Sequence, residues 1–222
     1  MAGTDLVRRS IAEAVGTAFL LAAVVGSGIM AERLAQGNVA LALLANAIAT
    51  GAALYALILT FAPLSGAHFN PLVTLVAASA GALRWRGAVG YLAAQFAGGI
   101  LGVLLGHLMF DVPLLQISSH VRTGPGQWAG EFVASFGLIA VIESGKRYFP
   151  AALAGAVACY ITAAYWFTSS TSFANPAVTV ARALSDSFAG IAPASVPPFI
   201  AAQLAGAACA ALLWRWVDRP IA

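Results

Sequence analysis

Along most of this chain, apolar residues run on for about twenty positions at a time, without the regular polar face of a water-soluble helix or strand. A helix rising 1.5 Å per residue needs about 20 apolar residues to cross a hydrocarbon core of about 30 Å. Runs of that length fall at about 11–31, 39–62, 88–109, 128–143, 151–168 and 197–217, so the pattern predicts six membrane spans. Two further apolar stretches, about 70–80 and 175–184, are too short to cross. As helices of about ten residues they reach about 15 Å, half the membrane thickness. Arg8 and Arg9 precede the first run in the manner of a secretory signal. Glu13 inside the run, and its length, argue instead for a retained span, and the twin-arginine look of Val7-Arg8-Arg9-Ser10 is weak.

The two halves of the chain resemble each other. Ile11-Ala12-Glu13-Ala14-Val15-Gly16 pairs with Trp128-Ala129-Gly130-Glu131-Phe132-Val133. Ala67-His68-Phe69-Asn70-Pro71-Leu72-Val73-Thr74 pairs with Ser172-Phe173-Ala174-Asn175-Pro176-Ala177-Val178-Thr179, and the Gln95 segment pairs with the Gln203 segment. Asn70 and Gln95 are 25 residues apart, Asn175 and Gln203 are 28. Chance in an Ala-rich chain accounts for the Ala and Gly matches but poorly for the Asn-Pro pair and the Gln. Three spans per half place the second half upside down relative to the first, giving inverted repeats of about 8–110 and 126–218 within one domain, 1–222.

Asn is a strong N-cap and Pro suits the first helical turn. Asn70-Pro71 and Asn175-Pro176 are therefore expected to start two half-helices that enter from opposite faces and meet at the midplane. The irregular backbone before each start, Ser65–Phe69 and Thr171–Ala174, is tolerable at that depth only against protein or a water-filled cavity. Its carbonyls would supply acceptors and the Asn amides donors. Two positive helix ends converge there, which disfavours cations, protons included, and lets a neutral hydrogen-bonding solute pass. The bland alternative is a pair of N-capped helices in a packed bundle; symmetry between the two motifs favours the pore.

Composition narrows the picture further. Of 222 residues, 61% are hydrophobic and 9% charged, against about 25% charged in soluble domains, and mean hydropathy is +0.88. A soluble globular enzyme, a disordered chain and a nucleic-acid binder are all disfavoured on this ground. The net charge of +3 rests on 11 Lys and Arg that form no stripe. Cys159 and Cys209 both sit in apolar runs and indicate no disulfide framework. With the N-terminus inside, Arg8, Arg9, Arg84, Arg86, Lys146, Arg147, Arg215 and Arg219 are cytoplasmic, and Arg33, Arg122 and Arg182 are outside. That distribution predicts both termini in the cytoplasm, and the cell (inner) membrane is the expected location. No nucleophile or metal-ligand cluster accompanies the intramembrane acids, so no catalysis, metal or cofactor is expected.

On these residues the chain resembles the aquaporin, or major intrinsic protein, family over nearly its whole length. The resemblance is carried by Ser65-Gly66-Ala67-His68-Phe69-Asn70-Pro71, by Asn175-Pro176-Ala177, and by Glu13, Glu131, Gln95 and Gln203 in their spans. It implies an all-α membrane protein of six tilted helices plus two re-entrant half-helices. It also implies one pore per subunit, usually a homotetramer in the lipid bilayer, and passive flux of water or small neutral solutes. Glu13 and Glu131 would brace the pore loops, with His68 a further brace and His107 and His120 ordinary span-end or loop residues. Leu54, Gly66, Ala67, His68 and Phe69 would line the pore, with Cys159, Thr171 and Arg182 along the pore or its vestibule.

Two departures from the family bear on selectivity. The first box reads Asn70-Pro71-Leu72, with Leu where Ala is usual. The second continues with Val178 where the filter arginine is usual. Family spacing assigns the remaining filter positions to Thr50, Ala163 and Ser172, all small and uncharged. Such a filter is expected to be wide and neutral, passing glycerol, urea, boric acid or arsenious acid. The stretch from Trp166 to Arg182 is similar to a bacterial branch associated with arsenite conduction. A water-selective channel is the nearest rival, and an inverted-repeat secondary transporter the alternative of a different class. Arg182, four residues after Val178, is positioned to serve the outer vestibule in place of the missing arginine, or else to pair with Asp186.

Overall fold

The computed structural model describes residues 3–217; Arg219 and residue 218, the expected end of the second repeat, lie outside them. Every regular element is helical, in the order α1 (Gly3–Ala35), α2 (Val39–Ser65), α3 (Pro71–Ser79), α4 (Trp85–Met109), α5 (Pro125–Tyr148), α6 (Leu153–Phe167), α7 (Pro176–Arg182) and α8 (Val196–Val217). Single 3-10 turns, Pro150–Ala152 and Pro193–Ser195, lead into α6 and α8. Six long helices and two short ones therefore stand where the hydrophobic pattern puts them. Five of the six long helices are apolar enough to cross a membrane by composition alone. The exception, α5, has 24 residues, so it is long enough; buried Glu131 and the polar end Glu143-Ser144-Gly145-Lys146-Arg147 lower its hydropathy.

Each half uses the same packing. α1 lies against α4 and α2, and α5 lies against α8 and α6, while α2 meets α6 between the halves. Small residues set the close crossings. A Cβ on Gly98 or Gly102 of α4 would collide with the Ala14 or Ala18 carbonyl of α1, and one on Gly206 of α8 with the Phe132 carbonyl of α5. Such contacts bring backbones together where lipid offers no hydrophobic drive for association. The outside carries large exposed apolar side chains, among them Ile11, Phe19, Ile48, Leu101 and Leu212, a surface suited to lipid or to other apolar protein.

Candidate functional site

The centre of the molecule is built from two capped helix starts. Asn70 (φ −149°, ψ 122°) and Asn175 (φ −160°, ψ 112°) are extended N-caps with Pro at the next position. Asn70 Oδ1 accepts the Leu72 N–H at 2.9 Å, and Asn175 Oδ1 accepts those of Ala177 and Val178 at 3.0 and 3.3 Å. Each cap then reaches across the midplane: Asn70 Nδ2 donates to the Ala174 carbonyl and Asn175 Nδ2 to the Phe69 carbonyl, both at 2.8 Å. Leading into the caps, Ala67, Phe69, Ser172 and Ala174 all have φ between 46° and 50°. Non-glycine residues pay of order 1–3 kcal/mol for such backbone, so something must hold it.

Two buried carboxylates do so. Glu13 Oε1 accepts the His68 N–H (2.9 Å) and the Ser65 hydroxyl (2.6 Å); its Oε2 accepts the Phe69 N–H (2.7 Å) and Gln95 Nε2 (2.8 Å). Glu131 mirrors it, accepting the Phe173 and Ala174 N–H groups, each at 2.9 Å, and Gln203 Nε2 at 2.6 Å. Each Gln also donates to a threonine one turn after an Asn: Gln95 to Thr74 (2.9 Å) and Gln203 to Thr179 (2.8 Å). Glu13, Glu131 and both Gln side chains are fully buried. His68 Nδ1 lies 3.1 Å from the Thr74 hydroxyl, and its ring meets Tyr91 edge-on.

A lumen threads between the loops, with about 100 Å³ of space open to water. A single water needs about 10–15 Å³ of such space, so the volume suits a short file of waters. Its middle is walled by Asn70 and Asn175 with Leu20, Leu54, Leu138 and Ile161; one end has Ile58, His68, Ile142 and Lys146, the other Thr50, Tyr165, Ser172, Val178 and Arg182. Gly66, Ala67 and Phe69 also line it. The Thr50 and Tyr165 hydroxyls are 3.2 Å apart. Two basic side chains, Lys146 and Arg182, stand on its wall. Outside the spans, the Ser119 N–H and hydroxyl, donating at 2.8 and 2.9 Å, hold the Asp186 carboxyl below its ordinary value.

Placement departs from expectation at several residues. Ala163 and Cys159 are exposed on the outer face of α6 and line no part of the lumen. The lumen face of α6 is instead Val157, Ile161 and Tyr165, one residue per turn. Tyr165 is ten residues before Asn175 rather than twelve, because loop and helix share out those residues differently here than family spacing assumes. The four-residue periodicity carried the signal for Tyr165. Thr171 is half-buried beside the lumen and not on its wall. Leu72, Pro71, Pro176 and Ala177 are buried behind it. His107 is not an ordinary span-end residue: fully buried, it bridges the Leu114 carbonyl and the Ser185 hydroxyl, both at 2.9 Å. Arg182 is buried on the lumen wall and makes no pair with Asp186, whose carboxylate is taken by Ser119. Lys146 and Phe173 join the wall without having been singled out for it.

A profile of the major intrinsic protein family matches residues 1–148. Aquaglyceroporin AqpS of Rhizobium meliloti (strain 1021) is 56% identical over 216 residues, covering 97% of this chain and 92% of the relative. Aquaporin NIP1-2 of Oryza sativa subsp. japonica is 27% identical over 95% of this chain and 73% of its own. The X-ray structure of the aquaglyceroporin from Plasmodium falciparum superposes with a TM-score of 0.76 at 19% identity, covering 97% of this chain and 98% of that one.

Proposed function

We propose that this chain, which belongs to the major intrinsic protein family, conducts neutral hydroxylated solutes such as glycerol and arsenious acid as well as water. It is an integral membrane channel and not an enzyme. The observation that carries the reading is the crossed pair of bonds at the midplane. An amide nitrogen has two hydrogens. Each Asn spends one on the opposite carbonyl, which leaves one donor from each side for a solute oxygen between them. The two half-helix N-termini face that same point, so a hydroxyl or water oxygen is favoured there and a hydrated cation is not.

Val178 keeps one side of the outer lumen small and apolar, which supports solutes wider than water. Tyr165 and Arg182 make this end more polar than a filter of Thr50, Ala163, Ser172 and Val178 would be. An ion-coupled transporter would need a lumen carboxylate to carry its coupling ion, whereas Glu13 and Glu131 are spent on the loop N–H groups. The channel is built from inverted halves, about 8–110 and 126–218. The arginine distribution supports both termini in the cytoplasm, with the chain in the inner membrane, and the resemblance to the family supports assembly as four copies. Stopped-flow light scattering on vesicles holding the purified protein tests the solute class. Water, glycerol and arsenious acid should each enter faster than into empty vesicles without saturating. Val178→Arg should lower glycerol flux more than water flux; equal losses, or none, would show that Val178 does not set the width.

A further inference from the structure

Val178 leaves the outer lumen without the arginine that the family places there, yet a guanidinium reaches the same level from another direction. Arg182 stands one helical turn after Val178 at the end of α7. On a helix, the Cα–Cβ bonds tilt toward the N-terminus and long side chains lie back over the preceding turn. Arg182 does this: its Cζ rests 3.4 Å from the centre of the Phe173 ring, in the segment that leads into Asn175. Phe173, Val178 and Arg182 share the lumen wall.

The guanidinium is held but not neutralised. Its Nε donates to the Ala189 carbonyl, and the terminal nitrogens have no protein acceptor among the described residues. Arg182 itself makes no ion pair among the described residues, so no carboxylate there meets it. The side chain is only 2% exposed. A charge withdrawn from water, with unused donors on a lumen wall, calls for oxygen acceptors from inside the lumen. A second cation stiffens the seat. Arg122 lies 5.2 Å from the same ring and donates to the Gly190 and Phe188 carbonyls at 2.8 and 3.3 Å. Two arginines thus hold the successive carbonyls of 188, 189 and 190, and Phe173 is braced edge-on by Phe199.

We infer that Arg182, seated on Phe173, is the specificity-determining residue of the outer lumen, supplying charge and donors beside Val178 without filling Val178's side. The pore then repels cations while admitting polyols and neutral oxyacids, whose several oxygens can accept from the fork. Arg122 is a positioning residue for that seat. This rests on the channel reading above.

The test uses the full chain in sealed vesicles, with water permeability read by light scattering and proton leak by an enclosed pH dye. The quantity compared is the ratio of leak to water permeability. A unit charge on the lumen wall, in a medium between protein and water, changes cation access by about tenfold. Arg182→Gln should therefore raise the ratio about tenfold, and Arg182→Lys, which keeps the charge, should stay within about twofold of the parent. Phe173→Leu removes the seat and leaves the arginine; its ratio should rise several-fold, and it decides the matter if Arg182→Gln does not reconstitute. A ratio within about twofold of the parent in Arg182→Gln, or in Phe173→Leu in its stead, overturns the inference. Parent vesicles without water flux would overturn the channel reading itself.

Discussion

Replacing Glu13 by Gln removes a charge and exchanges one carboxylate oxygen for an amide NH2. Four donors converge on Glu13: the Ser65 hydroxyl, the His68 and Phe69 N–H groups and Gln95 Nε2. Whichever way the new amide turns, one backbone N–H, that of His68 or of Phe69, faces another donor, and Ser65 or Gln95 must reverse its own role to accept. Two bonds to a charged acceptor amount to about 3–6 kcal/mol in soluble proteins, and a stranded buried N–H adds about 1–3. Two effects reduce the total: hydrogen bonds inside membranes average nearer 0.6 kcal/mol, because the reference state also finds partners, and burying a neutral amide is cheaper than burying a charge. The net loss should be about 2–4 kcal/mol. At about 2–4 °C per kcal/mol for a chain of this size, the midpoint falls by about 4–16 °C. Ala67 and Phe69 would also be freed from their left-handed backbone. The assay is thermal unfolding of the purified protein in detergent, with water permeability in vesicles as the functional companion. Glu131 accepts three donors rather than four, so Glu131→Gln should shift the midpoint less. A Glu13→Gln midpoint within 2 °C of the parent, or a larger shift from Glu131→Gln, would refute the reasoning.

The two candidate filter positions on α6 can be separated directly. Tyr165→Ala should raise glycerol flux relative to water, while Ala163→Phe, on the outer face, should leave that ratio as it is; the reverse pattern would return Ala163 to the lumen. Both cysteines are exposed on the outside of the bundle, so mercurials should label them without blocking water flux, and a block abolished by Cys159→Ser would place that thiol in the lumen after all. Asp186 titrates below its ordinary value because Ser119 donates to it twice. A depressed carboxyl stabilises its loop above its unfolded value and loses the effect as pH falls through the folded one. Proteolysis of the loops around 119 and 186 should therefore stay slow at pH 5 and speed up only below the usual carboxylate range, a change that Asp186→Asn abolishes.

Much of this architecture is local and so legible in the residues alone. Span length is set by bilayer thickness, which is why apolar runs located all six long helices. Asn followed by Pro starts a helix for reasons contained in two residues, and α3 and α7 begin directly after them. Glu13 and Glu131 stand out as carboxylates inside apolar spans, but it was the family resemblance, and then the structure, that directed them to the loop N–H groups. What the lumen wall contains was decided elsewhere. Counting back from Asn175 cannot show how residues 163–174 divide between helix and loop, and a shift of two residues turns a helical side chain through about 200°. That rotation is the distance between exposed Ala163 and buried Tyr165. Arg182 depended on tertiary structure still more, since its seat combines the Phe173 ring with the Ala189 carbonyl from a separate loop. Periodicity reports which face of a helix is apolar; only the packed structure says which face surrounds the lumen.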